Sequence, residues 1–186
     1  VTTYGESLTA EKASKLPYMQ LGCFGGLFFG IIKYMPEPIF APRDVFEQIL
    51  QYAVIPTFDL VVELPEGGVV VVYRKIAPYQ NKWALPGLRM YKNETIDDTL
   101  LRIAKQELGI RIDPKSRKLI GQYVGKFTTE FHRQDLSSGY VVGALDNEVQ
   151  LNDNHFSKYK IIKNIHDIPE PIGAMYNFYL TEYFAA

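Results

Sequence analysis

One helix constrains this chain more than any other feature. It is read from Thr95 to Gly109 and carries a carboxylate where a core-facing residue belongs. Thr95 can cap the first turn, with Asp98 three positions on completing a capping box. Gly109 supplies the left-handed residue that closes the last turn. At 100° per residue Ile96, Leu100, Ile103 and Ala104 share one apolar stripe, and Glu107 falls inside that stripe one turn beyond Ile103. A lone carboxylate facing a core is costly unless a positive charge or a cation meets it. Any fold proposed for this chain has to supply that partner.

Flanking patterns set the fold class. From Thr57 the hydrophobic period becomes two: Phe58, Leu60, Val62 and Leu64 alternate with Asp59, Val61 and Glu63. Pro65 to Gly68 is a turn, and Val69 to Arg74 reads as a central strand, so the two form a hairpin. Trp83 to Leu85 is a brief strand before the Pro86-Gly87 turn and the helix. Lys115 to Lys118 reads as a charged connector, Leu119 to Phe127 as strand, and Thr128 to Ser138 as a polar loop. Tyr140 to Leu145 and Tyr159 to Ile162 are further strands, with a start of another at Val149 to Leu151. Pro171 opens a last helix with Ile172, Met175, Tyr176, Tyr179 and Tyr183 at helical spacing. This order predicts an α+β fold, a mixed β-sheet sandwiched between helices.

Upstream, residues 1 to about 20 are polar and aperiodic. Leu21 to Ile32 is apolar but too short and glycine-rich to span a membrane, which needs about 20 apolar residues. It lacks the flanking charge and cleavage site of a signal peptide. Pro42 suits the first turn of a short helix with Val45, Phe46, Ile49 and Leu50 on one face. The expected organisation is therefore an N-terminal extension over 1–55 and one main domain over 56–186, in a cytoplasmic protein. A total of 20 Lys and Arg against 21 Asp and Glu gives a net charge of -1, so no basic field invites nucleic acid. One cysteine excludes an internal disulfide and a multi-cysteine metal cage. The aromatic last helix reads as core or dimer surface, and a homodimer is the expected assembly.

Two accounts of Glu107 stand side by side. It is either a rim carboxylate salt-bridged to Arg74 or Arg102, or a ligand to a hard divalent ion such as Mg²⁺. Gly87 allows a ligand close to the backbone, and its carbonyl could be a second oxygen. Arg89 and Arg102 lie near the same loop–helix junction, where guanidiniums suit phosphate oxygens. Together these favour a metal–phosphate site.

On those residues the chain resembles the Nudix hydrolases, whose signature is matched by Gly87, Glu94, Arg102, Glu107, Gly109 and Ile110. Two signature glutamates are replaced, by Ile103 and Gln106, and the loop between Gly87 and Glu94 has one extra residue. These departures resemble the GDP-mannose mannosyl hydrolase branch, and the likeness extends from about Asp59 to His155. It implies a single Mg²⁺ on Gly87, Glu107 and Asn154, with His155 as general base. Asp59 matches the active-site aspartate and Arg74 the arginine that assists departure of the diphosphate. Arg89 and Arg102 match the loop and helix arginines, and Tyr140 a tyrosine that touches the leaving group. A second register puts His155 in the ligand slot and Phe156 in the base slot. A further family histidine falls on Thr129, with His132 close by. The second loop glycine is Leu88.

The implied reaction is hydrolysis of a nucleoside-diphosphate sugar at the anomeric carbon, with neither nucleic acid nor membrane as partner. Two other readings stay open. One is a phosphoanhydride hydrolase with ligands moved to Glu94, Glu148 or Asp153; the other is a binding module of the same fold with little turnover.

Overall fold

The computed structural model describes residues 40–128 and 130–186. The readings made for residues 1–39, including the apolar Leu21 to Ile32 run, and for Thr129 lie outside them. The first helix, α1, spans Arg43–Tyr52 with Pro42 at its N-cap. Its Leu50 is buried, whereas Val45 and Ile49 are exposed.

Strand β1 (Val54–Glu63) is the centre of the sheet. Both of its faces are buried from Thr57 to Val62, because the two later helices pack against it. It pairs in parallel with β6 (Arg133–Ala144), from Val54 opposite Gln134 to Glu63 opposite Gly143. On its other side it meets β4 (Gly87–Arg89) antiparallel, with Asp59 opposite Gly87. The hairpin to β2 (Val69–Arg74) pairs at its turn end, Glu63 opposite Val69. Beyond that the two strands part company. β2 continues with β3 (Trp83–Ala84) and with β7 (Phe156–Ile162). Arg74, at the end of β2, lies opposite Phe156 of β7 and gives its N–H to Lys82 O. With β5 (Ile112–Phe127) beyond β6, the strand order is β3-β2-β1-β6-β5, and β4 and β7 are side partners.

The helix that dominates the sequence is α2 (Ile96–Leu108), and it begins and ends as its residues require. The Thr95 hydroxyl accepts from the Asp98 N–H, Asp98 returns a bond to the Thr95 N–H, and Gly109 closes the helix at φ 67°. Leu100, Ile103, Ala104 and Leu108 are buried in one core with the β1 and β2 valines. The last helix, α3 (Ala174–Ala185), adds Met175, Tyr176, Tyr179 and Leu180 to the same core. Among the described residues no helix is long and apolar enough to cross a membrane.

Several local expectations change. The charged Lys115 to Lys118 segment is not a connector but part of β5, which spans Ile112–Phe127 with irregular register between Asp113 and Lys118. The strand expected from Tyr140 begins at Arg133, so the polar loop shrinks to a tight turn after Phe127. Val149 to Leu151 forms no strand. In the β6 case Ser137 reads as loop because its buried partners, Asp59 and Tyr179, are far away in sequence.

Candidate functional site

Glu107 is 1% exposed, and its two oxygens lead different lives. Oε1 receives His155 Nδ1 at 2.8 Å and the Asn152 amide at 3.3 Å. Oε2 is buried with no hydrogen-bond partner among the described residues. Burial drives the carboxyl above its ordinary range, while His155, Asn152 and Arg74 partly offset that rise. Such a group calls for a cation, since an orphaned buried carboxylate oxygen is otherwise a pure desolvation cost. The turn that delivers His155 is held by the backbone: Asn152 N–H donates to Glu107 O, and the His155 and Phe156 N–H groups both donate to Asn152 O.

Asp59 lies on β1, 3% exposed. Its Oδ2 accepts from Ser137 Oγ at 2.5 Å, and Ser137 in turn receives the Tyr179 hydroxyl at 2.9 Å. Burial pushes the Asp59 carboxyl up to about 7, further raised by Asp135 and lowered by Ser137, Arg74 and Arg133. Its other oxygen rests against Gly87: a Cβ added there would lie 2.1 Å from Asp59 Oδ1 and 2.8 Å from Phe58 O. Glycine at 87 is thus demanded by its cross-strand neighbour. The same register decides where its carbonyl goes. Leu60 donates to Pro86 and Met90 to Pro56, so the bonded pairs are those flanking Asp59 and Gly87. In such a ladder the amide and carbonyl of Gly87 face away from β1.

Arg74 stands near both acids and lowers each in pKa. Its guanidinium is buried and donates to carbonyls of the next loop, Nε to Pro78 O at 2.7 Å and to Ile76 O at 3.4 Å, Nη2 to Ala77 O at 3.3 Å. It is a fixed cation, held by the chain itself.

The two helix-junction arginines divide their tasks. Arg102 is consumed by structure: Nε and Nη2 bind Glu94 at 2.5 and 2.8 Å, Nη2 also reaches Arg89 O at 2.8 Å, and Nη1 reaches Gln106 at 3.5 Å. Its guanidinium also stacks 3.7 Å over Tyr91. Burial pulls the Glu94 carboxyl up, but Arg102, the Tyr91 N–H and the Thr99 hydroxyl outweigh it and hold it low. Glu94 therefore has no oxygen to spare as a displaced metal ligand. Arg89, by contrast, has no carboxylate partner among the described residues; it lies 3.9 Å over the Phe46 ring of α1. Burial, Arg133 and Arg102 all pull its pKa down. A cation in that setting is served by an incoming anion.

Two expected contacts come out differently. Tyr140 is buried and stacks on Phe58, ring centroids 5.8 Å apart, which makes it a core residue of the β1–β6 pair. Asn154 is exposed on its turn and gives its backbone N–H to Asn152 Oδ1 at 3.1 Å. Asn152, two residues earlier, is the amide that touches Glu107. Phe156 is buried as the first residue of β7. Sequence reasoning also passed over Arg133, which grips buried Asp135 with two bonds of 2.6 Å near Asp59 and Arg89. The Arg-x-Asp alternation, one face of a strand, was its only signal.

Among the described residues no three His, Cys, Asp or Glu side chains converge on a possible metal position. One buried carboxylate oxygen, Glu107 Oε2, is without a partner among the described residues, and the Gly87 carbonyl is left out of the β1 ladder. That set suits a hard ion such as Mg²⁺, which is usually held by one or two carboxylates and completes its shell with water and substrate phosphates. It does not suit a cluster of ions, because Ile103 is sealed in the core and Gln106 turns to Arg102.

Comparison with known proteins gives consistent results. The family model described as NUDIX domain matches residues 54–181. The low-salt glycan biosynthesis protein Agl8 of Haloferax volcanii is 33% identical over 118 residues, 61% of this chain and 70% of its own length. A MutT NUDIX hydrolase from Burkholderia pseudomallei superposes with a TM-score of 0.61 at 18% identity, covering 69% of this chain and 96% of that one. The NUDIX domain of Shewanella oneidensis NrtR, complexed with ADP ribose, gives 0.58 at 16% identity over 70% and 86%. At such identities the two structures speak for the fold.

Proposed function

The chain belongs to the NUDIX domain family, and on that premise we propose that it hydrolyses a nucleoside-diphosphate sugar, of the GDP-mannose type, at the anomeric carbon. The observation that carries this reading is the pairing of the buried helix carboxylate with an imidazole, Glu107 Oε1 to His155 Nδ1 at 2.8 Å. Attack on phosphorus is commonly served by two metals that share the attacking and leaving oxygens. A site with one carboxylate and a neighbouring base suits attack on carbon, where the diphosphate departs whole. The name of the Haloferax relative, a glycan biosynthesis protein, supports a sugar in the substrate.

A divalent ion such as Mg²⁺ held by Glu107 Oε2 and the Gly87 carbonyl would neutralise charge on the departing diphosphate. The chain's own groups do the rest. Ionised Glu107 can only accept, so it fixes a proton on His155 Nδ1 and leaves Nε2 with its lone pair. Nε2 takes a proton from water as the water oxygen bonds to the anomeric carbon. The bond from that carbon to the β-phosphate oxygen breaks, and the electron pair leaves with the nucleoside diphosphate. Arg89 meets the phosphates, and Arg74 keeps a positive charge beside both acids. Asp59, titrating near neutrality, is a second reservoir for a proton and pins the strand that carries Gly87.

Hydrolysis of GDP-mannose in ¹⁸O-water tests the bond broken. Label in the sugar is expected. Label in a phosphate product would establish phosphoanhydride cleavage instead.

A further inference from the structure

We propose that the cavity between the end of α1 and the turn joining β5 to β6 holds the nucleobase of the substrate, an inference that rests on the nucleoside-diphosphate reading above. The cavity measures about 640 Å³ and is lined by Gln51, Tyr52, Thr128, Phe131 and His132. That volume is in the range of small-ligand sites. Its walls combine flat rings with groups that can hydrogen-bond the edge of a base.

Three observations point the same way. Tyr52 is 86% and Phe131 46% exposed, and neither ring is in contact with another ring among the described residues. Two large rings facing one cavity without partners offer stacking surfaces, and every base has a π-face to place on them. Phe131 and His132 both have positive φ, 52° and 54°. Bulky residues seldom adopt that conformation, and here it falls on two residues that both line the cavity. Gln51, Thr128 and His132 supply donors and acceptors along the rim.

The position also connects to the phosphate end of the site. Arg133 follows His132 directly and opens β6, and Arg89 lies 3.9 Å over Phe46 of α1, the helix whose end, Gln51 and Tyr52, lines the cavity. Phe127, at the other end of the turn, packs edge-on against Tyr79 with centroids 5.5 Å apart. A base in the cavity would therefore continue into a diphosphate passing Arg133 and Arg89.

The test is calorimetric titration of the full chain, in Mg²⁺ buffer, with GDP and with inorganic pyrophosphate. Tyr52→Ala and Phe131→Ala should each weaken GDP about tenfold or more, the usual scale for loss of a stacking ring, and leave pyrophosphate unchanged. Tyr52→Phe should restore GDP binding. Tyr52 is so exposed that its removal leaves the fold intact, which circular dichroism checks. Wild-type GDP binding that both alanine variants retain, or a parallel loss of GDP and pyrophosphate, overturns the base subsite and leaves the nucleotide reading standing. A wild type that binds GDP no better than pyrophosphate overturns the nucleotide reading and the subsite with it.

Discussion

Replacing Asp59 by Asn should change how stability depends on pH, by an amount that follows from burial. Asp59 titrates at an ordinary 3.8 when the chain is unfolded and near 7 in the fold, mainly because burial disfavours its charge. A tenfold change in proton affinity corresponds to about 1.4 kcal/mol, so ionised Asp59 costs the folded state about 4 kcal/mol. The sign is fixed by proton counts. Below pH 3.8 both states hold the proton and no penalty arises. Between 3.8 and 7 the fold keeps the proton while the unfolded chain releases it, so stability falls as pH rises. Above 7 both states are ionised and the full penalty stands.

Asn occupies the same space against Gly87, can still accept from Ser137, and does not titrate. The stability of Asp59→Asn minus that of wild type should therefore grow by about 4 kcal/mol between pH 4 and 8. The other groups around the site, Arg74, Arg133, Asp135, Glu107, His155 and the Tyr176 and Tyr179 hydroxyls, are common to both proteins and cancel in the difference. Urea denaturation at each pH unit, with chelator present and no ligand, measures it. A flat difference, or one in which wild type gains on the variant as pH rises, refutes the argument that Asp59 is a buried acid titrating near neutrality.

Three further outcomes are expected. His155→Gln should fold normally and lose about 10²–10⁴-fold in kcat, the usual worth of a positioned base; near-normal turnover would remove His155 from the reaction. Glu107→Gln should abolish Mg²⁺ binding measured by titration calorimetry in the presence of GDP, with thermal stability retained or raised, because a neutral amide is less costly to bury than a carboxylate; undiminished Mg²⁺ affinity would count against this site. Gly87→Ala should lower stability by about 1–3 kcal/mol, since its Cβ would collide with Asp59 Oδ1, and adding Asp59→Gly should recover part of the loss in thermal denaturation; equal losses in the single and double variants would show that Asp59 is not the obstacle.

How far each feature could be read before folding depends on the distance over which it is encoded. The α2 cap, its apolar stripe and the Gly109 stop are properties of one helix period, and so is the anomaly of Glu107. The alternation of β1 and the valine run of β2 identify strands for the same local reason. The resemblance carried by Gly87, Glu94, Arg102 and Glu107 led to the family, because those residues sit within one loop and helix. What that stretch did not contain was who meets whom.

His155 reaches Glu107 from 48 positions away and Ser137 reaches Asp59 from 78. No local period distinguishes Asn152, which touches Glu107, from Asn154, which faces water. Arg89 and Arg102 look alike in the sequence; a bidentate partner at Glu94 turns one into a brace, and the ring of Phe46 leaves the other free. The start of β6 was missed because a polar residue reads as exposed until its buried partner is known. The sequence by itself determined the helix, the central strands and the one carboxylate out of place. Tertiary structure alone decided what that carboxylate faces, because a buried charge is made tolerable by groups, here His155 and Asn152, that only the folded chain brings into hydrogen-bond reach.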